Sequence, residues 1–201
     1  MENAKRIEDY AMVGDLHTAA MVSADGSIDW LCFPRFDSAA CFAALVDDDR
    51  AGRWHLGPVG VRGSTRRRYR GDTLILETEW ETAEGAVRVT DFMPVRDGAA
   101  NLVRIVDGIA GEVAMRSELV LRFDYGHIVP WVTRTEGGIR AVAGPDAVLV
   151  TADVPLMGRD MRTEADFSVA EGDRVRFVLT WYPSNEAAPA PVDADQALAE
   201  T

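Results

Sequence analysis

The sequence predicts an all-β protein built as a large antiparallel β-sandwich (a supersandwich), with the start of a linker helix at its C-terminus. Three observations support this fold class. Many segments alternate apolar and polar residues with a period of two, and turn-forming pairs rich in Gly, Asp and Pro separate them at short intervals. Helical patterning is scarce. Strands that bury one face each, repeated along a chain, imply two sheets packed face to face.

The first strong element is a hairpin. Asp25-Gly26 lies between two apolar runs, residues 19–23 and 27–31. An Asp-Gly pair in this setting is the strongest short-range hairpin signal, because both central residues of a two-residue turn need positive φ. We therefore predict a two-residue turn at this pair.

Three later segments show the alternation most clearly. Residues 73–80, 117–125 and 174–181 each place apolar side chains on one face and charged side chains on the other. Their apolar faces comprise Leu74, Leu76, Thr78 and Trp80, then Leu119, Leu121, Phe123 and Tyr125, then Val175, Phe177, Leu179 and Trp181. Trp80 and Trp181 are thus predicted to be core residues, whereas the environments of Trp30, Trp54 and Trp131 stay open.

Two stretches have helical character. Residues 39–45 are predicted to form a short helix, which Asp37 and Ser38 would cap. Residues 183–191 resemble a linker in composition, and Asp193 is placed to cap a helix that starts at Ala194. The expected organisation is a sandwich domain over residues 1–183, followed by a linker and the beginning of a helix over 184–201 that leads to a further, catalytic domain.

Charge excludes several classes of function. The chain has 33 acidic and 21 basic residues, a net charge of -12, which disfavours nucleic acid as a partner. The basic run 66–70 is interpreted as a solvated edge strand rather than an anion site. No apolar run is long enough to cross a bilayer and no leader precedes the first strand, so we expect no membrane contact and a cytoplasmic location.

Metal and redox chemistry are not indicated either. Cys32 and Cys41 are expected to be buried thiols rather than a disulfide, given the predicted location. His17, His55 and His127 have no metal-ligand spacing, and we expect no metal and no cofactor. Asp15 and His17, which are two residues apart, are interpreted as a structural hydrogen-bonded pair.

Three sequence stretches carry a family resemblance. Residues 25–38 read D-G-S-I-D-W-L-C-F-P-R-F-D-S, residues 91–94 read D-F-M-P, and residues 122–126 read R-F-D-Y-G. The chain resembles the N-terminal region of the trehalase-like and glucoamylase-like enzymes of glycoside hydrolase family 15. The first string is long and unusual in composition, which makes it the most specific of the three.

The resemblance implies both a fold and a reaction. In such enzymes an N-terminal β-sandwich is joined by a helical linker to an α-helical toroid, which hydrolyses an α-glucosidic bond with inversion. Inversion uses one carboxylic acid and one carboxylate, and in the family both are glutamates of the toroid. No position here matches those motifs, so no catalytic residue is predicted in this chain. The implied partners are the chain's own catalytic domain and an α-glucoside, either trehalose or an α-glucan; the oligomeric state stays open.

The residues predicted to approach substrate or the catalytic domain follow the hairpin. They are Trp30, Pro34, Arg35, Phe36 and Asp37. Pro34 cannot donate a hydrogen bond to a sheet, so the strand should end near Phe33 and a loop should follow. In that loop Arg35 is placed to bind a carboxylate or sugar hydroxyls, and the alternative is a simple pair with Asp37. An autonomous carbohydrate-binding module is the alternative function.

Overall fold

The computed structural model describes residues 5–61, 63–96 and 98–201, and strands dominate it. The strands are Tyr10–Gly14 (β1), Ala19–Ser23 (β2), Ser27–Cys32 (β3), Ala40–Phe42 (β4), Arg53–Pro58 (β5), Arg66–Tyr69 (β6), Leu76–Glu81 (β7), Gly85–Phe92 (β8), Ala100–Val120 (β9), Trp131–Thr135 (β10), Gly138–Ala143 (β11), Asp146–Ala152 (β12), Met157–Arg159 (β13), Arg162–Ala170 (β14) and Arg174–Pro183 (β15). One α-helix, Ala194–Glu200 (α1), and two short 3-10 turns, Ile7–Asp9 and Asp49–Ala51, complete the described elements. The predicted all-β class is confirmed.

Every pairing among these strands is antiparallel, and β9 belongs to both layers of the sandwich. Its first half pairs with β8 and β15, and its second half with β5 and β14. Sheet A has the order β1-β2-β3-β5-β9-β14-β13, with β4 on β3. Sheet B has the order β6-β7-β8-β9-β15-β12-β11-β10. The strand that passes from one sheet to the other closes the sandwich along one side.

Glycines make that crossing possible. Gly111 has φ of +63°, and a Cβ there would lie 2.1 Å from the carbonyl oxygen of Glu84. A Cβ on Gly108 would lie 1.9 Å from the carbonyl oxygen of Ala170. Only residues without a side chain allow the backbones to approach this closely.

The core lies between the two sheets and is predominantly apolar. Trp54 on β5 meets Phe177 on β15 edge-on, with ring centroids 6.2 Å apart. Trp54 and Trp80 are both buried. The prediction that Trp80 is a core residue is confirmed, and Trp54, whose environment the sequence left open, is a core residue as well. Trp181 is partly buried, and its indole nitrogen donates to Asp146.

One ion pair is buried in this core. The fully buried Arg104 of β9 pairs with Asp91 of β8 at 2.7 Å. The same guanidinium donates to the carbonyl oxygens of Trp54 and Gly26, which belong to the opposite sheet. Arg104 therefore links the two sheets and fixes the β2–β3 hairpin against β5.

The hairpin itself differs in detail from the expectation. Three residues, 24–26, connect β2 and β3, and the amide of Gly26 donates to the carbonyl of Ser23. Only Gly26 has positive φ, +82°. This is a type I turn closed by a left-handed glycine, so the predicted two-residue turn is wrong although the hairpin is confirmed.

The predicted short helix over 39–45 is also wrong. Ala40–Phe42 form β4, which pairs with β3, and all three residues are buried. A seven-residue helix has little stability of its own, and here strand pairing with β3 satisfies the backbone instead. Cys32 and Cys41 are free and buried as expected, and burial raises the pKa of both thiols.

The C-terminal helix begins where predicted. Asp193 accepts hydrogen bonds from the amides of Asp195 and Gln196, as an N-cap residue does. Asp195 then pairs with Arg174 and Arg176 of β15. Ala194 and Ala197 pack on the outer face of sheet B, against apolar residues that include Val103, Ile105 and Val178.

The arginine-rich strand β6 lies at the edge of sheet B, which confirms the edge-strand interpretation. Arg68 and Arg70 bind the carboxylate of Glu77 on the neighbouring strand β7. Arg67 donates to the main-chain carbonyls of Asp9, just before β1, and of Val22 in β2 of sheet A. The hydroxyl of Tyr69 accepts from the amide of Met12 and donates to its carbonyl. These bonds tie the edges of the two sheets together.

Candidate functional site

Five connections gather at one end of the sandwich, which we name the loop end. They are the β1–β2, β3–β4, β8–β9, β9–β10 and β13–β14 connections. Hydrogen bonds join neighbouring members. The amide of Phe36 donates to the carbonyl of His17, the amide of Tyr125 donates to the carbonyl of Ala40, and Arg122 donates to the carbonyl of Met161.

A buried ion pair anchors this end. Asp15 is buried, and its carboxylate binds the guanidinium of Arg96 at 2.6 Å. The other carboxylate oxygen accepts from the amides of His17 and Thr18. The predicted pair of Asp15 and His17 therefore involves main-chain atoms, while the carboxylate joins the β1–β2 and β8–β9 connections.

The predicted segment from Pro34 to Asp37 forms a turn on the surface of the loop end. β3 ends at Cys32, in agreement with the expected strand end, and the peptide bond between Phe33 and Pro34 is cis. The amide of Ser38 donates to the carbonyl of Arg35, which closes the turn. Phe36 is 62% exposed, so an apolar ring is presented to solvent.

Arg35 and Asp37 form a bidentate pair. Nε and Nη2 of Arg35 each lie 2.9 Å from a carboxylate oxygen of Asp37. This is the alternative considered for Arg35 in the sequence, and it leaves Asp37 without a helix to cap. Both side chains are more than half exposed. The surface therefore carries a paired positive and negative charge next to Phe36 in the sequence.

Trp30 occupies a different setting. One side of its ring packs on a small buried cluster that contains Cys32, Ala40, Ala43 and Ala51. Its aromatic partner is Tyr125, with ring centroids 6.1 Å apart and planes tilted by 45°. Trp30 is thus half buried, and its ring contacts the exposed ring of Tyr125.

Tyr125 is the residue that sequence reasoning missed. Asp124, Tyr125 and Gly126 have φ of 49°, 56° and 95°, three successive left-handed residues. Such a conformation is unfavourable for Asp and Tyr and is often found where a side chain must point in a specific direction. The R-F-D-Y-G string, with its glycine, was the available signal, but its period-two reading placed Tyr125 on a strand.

The other buried carboxylate of this part of sheet A is structural. Asp29 accepts from Nζ of Lys5 at 2.8 Å and from the hydroxyl of Tyr10 at 2.7 Å. Burial and this bond together raise the pKa of Tyr10 well above its ordinary value. Asp29 therefore holds the N-terminal segment on the sandwich and is not free to meet a sugar.

Neither a metal centre nor a membrane span is found in the described residues. No group of three or more His, Cys, Asp or Glu side chains is placed there to hold a metal ion. None of the helices in residues 5–61, 63–96 and 98–201 has the length and apolar character to cross a bilayer.

Comparison with known proteins completes the description. Residues 1–171 match the family model described as trehalase-like, N-terminal. A trehalase of Mycobacterium tuberculosis (strain ATCC 25618 / H37Rv) is 31% identical over 204 residues, covering 87% of this chain and 30% of the relative. A trehalase of Mycolicibacterium smegmatis is 30% identical with the same coverage, and trehalase 1 of Sulfolobus acidocaldarius is 30% identical over 71% of this chain and 25% of its own. The chain thus spans less than a third of the length of these relatives. Because the family model covers most of its residues, this chain belongs to the trehalase-like N-terminal domain family.

Proposed function

We propose that this chain is the non-catalytic N-terminal β-sandwich domain of a trehalase-type hydrolase, which cleaves an α-glucosidic bond with inversion. We call that longer protein the parent enzyme. The match to the trehalase-like N-terminal model carries this proposal. The relatives' names favour trehalose over an α-glucan as the substrate. The segment 184–201 would lead from the sandwich to the catalytic, helical part.

Two carboxylates held by basic partners, Asp25 and Glu77, fit a supporting rather than a catalytic role. An inverting enzyme needs a carboxylic acid with a raised pKa and a carboxylate roughly 6.5–9.5 Å away. Burial opposes ionisation of Asp25 and Glu77, yet hydrogen bonds and basic partners lower the pKa of both. A carboxyl group stabilised in its charged form is a poor proton donor at neutral pH.

We also propose that the domain helps to line the active site of the catalytic part, and the loop end favours this role. Arg35, Phe36 and Asp37 are exposed together there, and an exposed ion pair contributes only about 0–1 kcal/mol to folding. The pair is therefore available to a substrate or a catalytic domain at small cost to stability.

Steady-state kinetics of the parent enzyme test this role. Arg35→Ala should lower kcat/KM by at least about tenfold, equivalent to about 1.4 kcal/mol, while the melting temperature stays nearly unchanged. Arg116→Ala is the matched control, since Arg116 forms a similar exposed bidentate pair with Asp166 on sheet A. Unchanged kinetics in the Arg35 variant, or an equal loss in the control, would remove the segment from the active site.

An autonomous carbohydrate-binding module is the second candidate. It is favoured by Trp131, which is 78% exposed, and by the tilted pair of Trp30 and Tyr125. Calorimetric titration of this 201-residue chain with trehalose and with maltooligosaccharides separates the two. A supporting domain should show no binding, whereas saturable binding abolished by Trp131→Ala would establish the module.

A further inference from the structure

Large apolar side chains are exposed together at the loop end. They come from separate connections and from the first residue of β10, and they include Leu16, Phe36, Val95, Tyr125, Trp131 and Met161. Leu16 and Met161 are the most solvent-exposed of the aliphatic ones, at 80% and 72%. Several large apolar side chains exposed at one end of a domain are typical of an interaction site.

Backbone strain is concentrated at the same end. The non-glycine residues with positive φ in the described chain are Leu16, Asp124, Tyr125, Asp160 and Met161. All five lie in the β1–β2, β9–β10 and β13–β14 connections. Each costs roughly 1–2 kcal/mol, and strain retained at one place indicates that the directions of these side chains matter.

Between two of these strained turns lies a cavity of about 300 Å³. Its lining is largely apolar and includes Leu121, Val129, Pro130, Val132 and Met161. Its charged lining residues are Arg122, Arg159 and Arg162 and one acidic residue, Asp160. A volume of this size accommodates one or two side chains of a partner.

Arg122 is the unusual member of this cavity. Its Nη1 donates to the carbonyls of Leu121 and Met161, and the described residues include no acidic partner for it. Burial lowers the pKa of Arg122, and the neighbouring charge of Arg162 lowers it further. By contrast, Arg162 pairs with Glu118. A partly buried arginine beside another arginine gains most from an external carboxylate.

We propose that this cavity is the socket by which the sandwich docks the catalytic part of the parent enzyme. It would receive an apolar segment that carries an Asp or Glu side chain, and Arg122 would bind that carboxylate. The inference rests on the proposed function and deepens it by naming the surface and the chemistry of its partner.

Two features favour a protein over a sugar as the occupant. Beside its charged residues, the cavity is lined by aliphatic and thioether side chains and by no aromatic ring among the described residues, whereas sugar sites place hydrogen-bonding groups around an aromatic platform. Met, aromatic residues and Arg are the types enriched at the centres of protein interfaces. The lining carries three arginines against one acidic residue, Asp160, in a chain of net charge -12. Arg159 and Arg162 have acidic partners of their own in Glu164 and Glu118, so Arg122 is the cation left to bind an acidic segment.

Hydrogen–deuterium exchange of the isolated chain and of the parent enzyme tests the docking. Amides of residues 119–122, 128–132 and 158–163 should exchange at least about tenfold more slowly in the parent enzyme. The turn at residues 171–173, at the opposite end of β14, should exchange equally in both and serves as the control. Equal exchange at the cavity in both proteins would overturn the proposal.

Two substitutions sharpen the result. Arg122→Met should remove most of the added protection in the parent enzyme, whereas Arg134→Met, on the exposed strand β10, should leave it intact. Met161→Gly should do the same as Arg122→Met while raising the melting temperature of the isolated chain, because glycine accepts its left-handed φ of 63°. Full protection in both cavity variants would contradict the docking.

The outcomes also separate this inference from the proposed function. If the parent enzyme releases glucose from trehalose but shows no added protection at the cavity, only the socket is wrong. If the parent enzyme releases no glucose from an α-glucoside, the proposed function itself fails.

Discussion

Replacing Arg104 by methionine is the most informative perturbation of the fold. Its guanidinium is fully buried, binds Asp91 at 2.7 Å, and donates to the carbonyls of Trp54 at 2.7 Å and Gly26 at 2.6 Å. Methionine has a similar length and removes the charge. The carboxylate of Asp91 would then be buried without a partner, and a buried pair broken in this way costs about 3–5 kcal/mol.

Urea denaturation measures this loss directly. For a chain of this size, about 3–5 kcal/mol corresponds to a fall in melting temperature of roughly 6–20 °C. The double variant Asp91→Leu/Arg104→Met removes both charges and should recover more than half of the lost free energy of unfolding, because no buried charge remains. A single variant that loses less than about 1 kcal/mol, or a double variant less stable than the single one, would refute the reasoning.

Three further predictions follow from particular contacts. Burial opposes ionisation of Glu77, but its two arginine partners outweigh burial and lower the pKa of its carboxyl group. The ion pairs of Glu77 should therefore stabilise the fold fully above its ordinary pKa of 4.5, and this contribution should be lost as the pH falls through the folded-state pKa. In thermal melts recorded at decreasing pH, the Glu77→Gln variant should lose less stability than the original chain. Gly108→Ala, whose Cβ would meet the carbonyl of Ala170 at 1.9 Å, should cost at least about 2 kcal/mol in urea titrations; unchanged stability would contradict the tight crossing of β9. Leu16→Gly should gain up to about 1 kcal/mol by accepting the φ of 71°, and Leu16→Ala should not.

The sequence was most informative where periodicity and turn chemistry agree. The alternation in residues 174–181 predicts β15, and the Asp193 cap predicts the start of α1; both are confirmed. Local composition misled for residues 39–45, because an Ala-rich stretch favours helix whereas pairing with β3 decides its structure. The 21-residue strand β9 could not be foreseen as a strand of both sheets, since that depends on contacts of Gly108 and Gly111 with distant backbone.

The candidate site was predictable only in part. The proline before Arg35 indicated a loop, and the exposed Phe36 fits that expectation. The contact of Trp30 with Tyr125 joins positions 95 residues apart, and no local pattern encodes it. Likewise, the burial of Asp15 with Arg96 depends on two loops that meet only after both sheets have formed.

Glucose release from trehalose tests the central claim most directly. The purified 201-residue chain and the parent enzyme would be assayed side by side at equal molar concentration, with maltose as a second substrate. We expect release by the parent enzyme and none above background by the isolated chain. Release by the isolated chain, abolished by a single carboxylate substitution within it, would contradict a supporting role and place the chemistry in the sandwich itself.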